Sequence, residues 1–103
     1  METHDAQRVE IIIEATMERR LSDVLLEADV TGFTILPVHG GSGRSGHWTR
    51  DGEISRASGM VSVICLVRED RVDHLLDSVF AVLKHHIGVV SVTDAKVLRA
   101  ERF

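Results

Sequence analysis

The chain has one cysteine, one proline and one tryptophan among 103 residues, and aromatic residues make up only 4%. A single thiol, Cys65, cannot close a disulfide within the chain. Its place in an apolar, strand-like run reads as a small buried hydrophobe rather than a reactive group. No apolar run approaches the roughly 18 residues of a membrane-crossing helix, so no membrane insertion is expected. No charged-then-apolar leader opens the sequence, and the expected location is cytoplasmic. Basic residues are also in short supply: 12 Lys and Arg against 16 Asp and Glu give a net charge of −4 at pH 7. Neutralising a phosphate backbone takes clustered Lys and Arg, so a general nucleic-acid binder is excluded and only a local anion site remains.

What is present is an apolar content of 44%, enough in 103 residues for one compact domain over 1–103 with a modest core. After a polar stretch to Gln7 that is expected to fray, Val9 to Ile13 is a β-branched run. Met17, Leu21, Val24, Leu25 and Ala28 then recur at helical spacing. Thr31-Gly32 punctuates the turn into a second strand, Phe33 to Val38, and Met60 to Val67 reads as a third. Asp70 is placed to cap a second helix with an apolar face of Val72, Leu75, Leu76, Val79, Phe80 and Leu83. Gly88 ends that helix, and Val89 to Leu98 supplies a fourth strand. The order βαββαβ defines an α+β, ferredoxin-like sandwich, an antiparallel sheet with two helices on one face. Strands two and three are apolar on both faces, so the face without helices is expected to be covered by another subunit.

Gly40, Gly41, Gly43, Gly46, Gly52 and Gly59, six of the eight glycines, fall in a loop of about twenty residues between strands two and three. Ordering such a loop costs roughly 1 to 2 kcal/mol per residue without core burial to offset it, which marks it as functional or disordered. In Gly40-Gly41-Ser42-Gly43-Arg44 glycines let successive backbone N–H groups converge on an anion. Ser42 adds a hydroxyl donor, and Arg44 offers a bidentate fork for phosphate or bicarbonate. A flexible linker is the plain alternative.

Three segments together resemble the PII signal-transduction superfamily: Ala28-Asp29-Val30-Thr31-Gly32-Phe33-Thr34, then Gly40 to Arg44 opening the loop, and Ile87-Gly88-Val89-Val90 leading to Asp94-Ala95-Lys96-Val97-Leu98-Arg99. The resemblance covers nearly the whole chain. It implies a homotrimer that binds adenine nucleotides in the clefts between subunits and engages a transporter or enzyme through the long "T-loop", here about 40–59. Two features depart from the nitrogen-regulatory members. There is no tyrosine to uridylylate, and Val89 follows Ile87-Gly88 where those members carry a Gly-Asp-Gly-Lys phosphate segment. These departures resemble the PII-like branch linked to inorganic carbon: carboxysome-associated PII proteins and regulators of bicarbonate transporters. That implies ADP, AMP or cyclic AMP as ligand, with bicarbonate in the carboxysome-associated case, and no covalently bound cofactor.

On this resemblance Thr31, Gly32, Phe33 and Thr34 are candidates for the adenine pocket, although on spacing alone they complete a turn. Gly88 and Val89 abut the nucleotide position, the plain reading of Gly88 being a helix C-cap. Arg99 matches a phosphate-binding arginine of the family, and Arg102 is a candidate by proximity. His47, Trp48 and Arg50 are the residues of the loop expected to touch a partner. His39, His47, His85 and His86 do not compose a metal site, which needs three or four converging ligands; the two helix-terminal histidines suit the helix dipole. No paired carboxylates, Ser-His-Asp set or activated thiol is visible, so no enzyme is expected. The rivals are a trimeric metal-binding protein of the CutA type and a ligand-free protein-interaction module.

Overall fold

The computed structural model describes residues 1–30, 32–43, 46–49, 59–99 and 101, with residues 43 and 46–49 described by their backbone course. Strand β1 (His4–Glu14) runs through a one-turn 3-10 segment, Ala15–Met17, into helix α1 (Glu18–Glu27). Strand β2 (Phe33–Val38) is followed by two short strands, β3 (Gly40–Gly43) and β4 (Gly46–Thr49), and by β5 (Met60–Val67). A second 3-10 turn, Glu69–Arg71, leads into helix α2 (Val72–Leu83), and β6 (Gly88–Val97) ends the fold. The main sheet has the order β2-β5-β1-β6 with every pairing antiparallel. The α+β ferredoxin-like arrangement expected from the order of elements is the one observed.

Alternation places Val61, Val63, Cys65 and Val67 beside Val9, Ile11 and Ile13 on the face that the helices cover, where all are buried. Met17, Leu21, Leu25 and Ala28 of the first helical segment join Leu75, Val79, Val82 and Leu83 from α2 to close that core. Phe80, expected in the core, is 65% exposed, and Val82 takes the buried place instead. At about 100° per residue the two lie on opposite edges of the stripe, so the buried face of α2 is turned away from Phe80 and towards Val82 relative to the one expected.

Three local expectations change. His4 to Gln7 do not fray: they pair with Asp94–Val97 of β6, and Gln7 pairs with Val67 of β5 as well. Asp70 does not cap α2; Arg71 holds the N-cap position without a side-chain bond, and Asp70 sits in the preceding 3-10 turn. The turn after α1 depends on Asp29 rather than Gly32. Asp29 adopts φ 65°, Val30 N–H donates to Leu25 O at 2.9 Å, and Asp29 N–H donates to Leu26 O at 3.1 Å, the paired bonds of a Schellman stop. Asp is tolerated there because its short side chain suits the left-handed region, and Arg71 pairs with it at 3.2 Å.

Candidate functional site

The glycine-rich segment forms a hairpin stem. Gly40 pairs with Thr49, Gly41 with Trp48, Ser42 with His47 and Gly43 with Gly46. The stem leaves the main sheet just after Val38, which stands opposite Met60, which stands opposite Glu14. Gly88 and Val89 lie at this same end, paired with Ile13 and Ile12. They are on the β6 edge while the hairpin leaves from the β2 edge, three strand spacings or about 14 Å away. Gly88 begins a strand and caps no helix, since α2 stops at Leu83. Its reason is close packing: a Cβ there would stand 2.6 Å from Leu83 Cδ2 and 3.2 Å from the Ile12 carbonyl oxygen. No such crowding constrains Gly32, where a Cβ would meet nothing within 4 Å.

The remaining candidates sit elsewhere. Phe33 and Thr34 begin β2, five residues before the end from which the hairpin leaves. Phe33 is half-buried against the core, so its ring points away from the open face, while Thr34 is exposed on that face opposite Ile64. Arg99 follows β6, whose rise carries the chain about 30 Å from Gly88 to Val97. Arg99 is exposed and pairs with Glu101 at 3.2 Å. Thr31, Arg44, Arg50 and Arg102 lie outside the described residues, and His47 and Trp48 are placed only by their backbone in β4. One chain therefore gathers the candidates at two ends of the sheet: Gly40–Gly43 with Gly88 and Val89 at one, Arg99 towards the other, and Thr34 between.

Between β1 and β6 near the Arg99 end lies an open cleft of about 380 Å³ lined by Asp5, Ala6, Glu69, Asp94, Ala95 and Lys96. Gln7 Nε2 donates to Asp94 at 2.9 Å and to Glu69 at 3.4 Å, and Lys96 donates to Asp5 at 2.6 Å. Three carboxylates against one lysine disfavour an anion in this cleft of the single chain. Among the described residues no three His, Cys, Asp or Glu converge as metal ligands. Burial pushes the Cys65 thiol up to about 11, which keeps it protonated and inert near neutrality.

Two polar pairs on the open face of the sheet escaped sequence reading. The buried Ser62 hydroxyl donates to Glu10 at 2.7 Å, and His86 Nδ1 stands 3.2 Å from Glu14 Oε2. His86 thus finds a carboxylate rather than only the helix end. Glu14 Oε1 is shut off from solvent with no hydrogen-bond partner among the described residues, a condition that costs about 1 to 3 kcal/mol when left unrelieved. The signal in the sequence was two carboxylates, Glu10 and Glu14, four residues apart within and just after the apolar run Val9 to Ile13.

Two helices on one face of a four-stranded antiparallel sheet, with a glycine-rich hairpin leaving the end of its second strand, define a class of small α+β domains. The chain belongs to the nitrogen regulatory protein P-II family, which matches residues 6–102, and within it to the PII-like branch. CPII from Thiomonas intermedia K12, a nitrogen regulatory PII-like protein solved bound to ADP, AMP and bicarbonate, is 28% identical with a TM-score of 0.91, covering 99% of this chain and 96% of that one. The same protein bound to ADP and bicarbonate aligns at 29% identity and a TM-score of 0.86, covering 99% and 97%. A PII-like signaling protein from Thermus thermophilus, 20% identical with a TM-score of 0.83 over 100% and 99% of the two chains, shares the fold. No curated protein sequence matches the chain significantly. No described helix is long and apolar enough to cross a membrane.

Proposed function

We propose that this protein is a PII-like signalling regulator that senses adenine nucleotides of the ADP, AMP and cyclic AMP class, together with bicarbonate, in the clefts of a homotrimer. It acts by binding and not as an enzyme, in the cytoplasm, and regulates a transporter or enzyme of inorganic carbon metabolism through residues 40–59. The observation that carries this reading is the two-ended distribution of its candidate residues. The glycine hairpin with Gly88 and Val89, and the segment bearing Arg99, cannot meet on one ligand within a chain, but they can when a second copy lies against the open sheet face. The apolar residues Leu36, Leu66 and Val89 exposed on that face support such contact. The relative solved with ADP, AMP and bicarbonate aligns over nearly the full length, which supports the ligand class.

In this mechanism the backbone N–H groups of the glycine segment and the guanidinium of Arg44 hold the phosphate, with Arg99 reaching it from the neighbouring subunit. Thr31, Gly32 and Thr34 border the base, with Phe33 holding that segment to the core, Gly88 and Val89 form the opposite wall, and Arg102 joins Arg99 as a phosphate candidate by proximity. Ligand contact made only by the ordered loop shifts the loop's population and changes the surface that His47, Trp48 and Arg50 present to the partner. Calorimetric titration with AMP, ADP, ATP and cyclic AMP, with and without bicarbonate, tests the reading. Saturable ADP binding is expected, weakened about tenfold or more by Arg44→Ala, the loss of one charge-assisted contact. A folded protein that binds none of these ligands overturns it and leaves a protein-only interaction module.

A further inference from the structure

We propose that Glu14 is a positioning residue for the ligand site, a role that rests on the function proposed above. By holding His86 it fixes the turn carrying Gly88 and Val89 against the row of the sheet from which the glycine hairpin departs. Glu14 Oε2 stands 3.2 Å from His86 Nδ1, and the His86 backbone N–H donates to Leu83 O at 2.8 Å. Two residues later Gly88 is wedged between the Leu83 side chain and the Ile12 carbonyl. The turn between α2 and β6 is therefore held at both His86 and Gly88.

The same stretch of β1 also holds the other wall. Glu14 is opposite Met60, Met60 is opposite Val38, and β3 begins two residues after Val38 at Gly40. The Ala15 N–H donates to Gly59 O at 2.8 Å, tying the start of β5 to the residue that follows Glu14. Glu14 and Ala15 thus contact the turn before Gly88 on one side and the sheet end beneath the hairpin on the other. Glu14 Oε1 is shut off from solvent while the side chain as a whole is half-buried, and His86 is its one side-chain partner among the described residues. A carboxylate so committed keeps two walls of a site in register, as a second layer of contacts does around any binding group.

The test uses the full-length protein and ADP as the probe, with Glu14→Ala, His86→Ala, the double variant and the isosteric Glu14→Gln. Each single alanine change is expected to weaken ADP binding about fivefold, and the double variant no further, since both remove one coupled contact. Amide exchange should quicken at Gly88–Val90 and at Gly40–Gly43 while the core of β5 keeps its protection, a pattern that general loosening would not give. Additive losses, or unchanged ADP affinity in Glu14→Ala, overturn the positioning role. Glu14→Gln, whose amide can still bond the imidazole, should keep more of the affinity than Glu14→Ala. Should Glu14→Ala fail to fold, His86→Ala at its half-buried position decides alone: weakened binding supports the role and wild-type affinity overturns it. A wild-type protein that ignores ADP overturns the proposed function itself, whereas wild-type binding with an indifferent Glu14→Ala removes only the role of Glu14.

Discussion

On the helix-covered face of the sheet Val9, Ile11, Ile13 and Val63 are completely buried, whereas on the opposite face Leu36, Leu66 and Val89 keep 45%, 38% and 64% of their surface exposed. Both faces come from the same alternating strands, so composition does not separate them; the partner layer does. On the first face two helices remove the apolar surface from water within one chain. The second also carries a buried serine bonded to Glu10 and a carboxylate oxygen closed off from solvent. A face that mixes exposed leucine and valine with half-buried polar groups is finished only when something else lies on it.

Matched substitutions break this comparison if it is wrong. Ile11→Ala on the covered face should lower unfolding free energy by about 2 to 5 kcal/mol in a denaturant titration, because the cavity it leaves is enclosed on all sides. If the proposed trimer forms through the open face, Leu66→Asp should leave the circular dichroism of the folded chain intact and shift the sedimenting species towards monomer, since a charge placed in an apolar interface is left without compensation. An assembly that keeps its mass with Leu66→Asp, or a chain that unfolds outright, would mean that the open face is not where subunits meet.

Gly88 lies where the two faces and the proposed ligand wall come together, and its effect should be intermediate. A Cβ there must displace Leu83 Cδ2, a movable side-chain end, but also faces the fixed Ile12 carbonyl oxygen. Gly88→Ala should therefore cost about 1 to 3 kcal/mol by overpacking. ADP titration of this variant sharpens the distinction: a loss of affinity beyond what Glu14→Ala produces would place Gly88 against the ligand, and an equal loss would make it another support of the turn.

Much of this fold was legible in the order of residues because burial on the helix side imposes strict periodicity. Val61, Val63, Cys65 and Val67 alternate, and Leu21, Leu25, Leu75 and Val79 recur at helical spacing, leaving one arrangement that buries them all. Where packing did not impose a pattern the reading slipped. Phe80 proved exposed and Val82, on the other border of the α2 stripe, buried, and polar His4–Gln7 became strand because β6 pairs with it. At the site, residue types pointed to a glycine segment but not to its pairing as β3 and β4. No local pattern could reveal that His86 meets Glu14 across 72 positions of sequence. Contacts of that separation follow from topology, which the local signals determine only in sum.

The smallest effect is expected away from both faces, where β1 and β6 run out together and Asp5 meets Lys96 in the open. The hydrogen bond from Lys96, and then its charge, hold the Asp5 carboxyl below its ordinary 3.8. The same bond, then the charge of Asp5, hold the Lys96 ammonium above its ordinary 10.5, with lesser help from Asp94 and Glu69. Asp5 thus stabilises the fold above the carboxylate range, and its contribution is lost as pH falls through the lowered folded value. Lys96 contributes below the lysine range and loses its share as pH rises through the raised one. Both side chains are largely exposed, so solvent and salt screen the pair and only a slight difference is expected. Denaturant unfolding of wild type and Asp5→Asn across pH should show a small wild-type advantage near neutrality that closes towards the acid limb and again at the alkaline limb. A gap that stays constant with pH would show that Asp5 acts through the shape of the strand end and not through its charge.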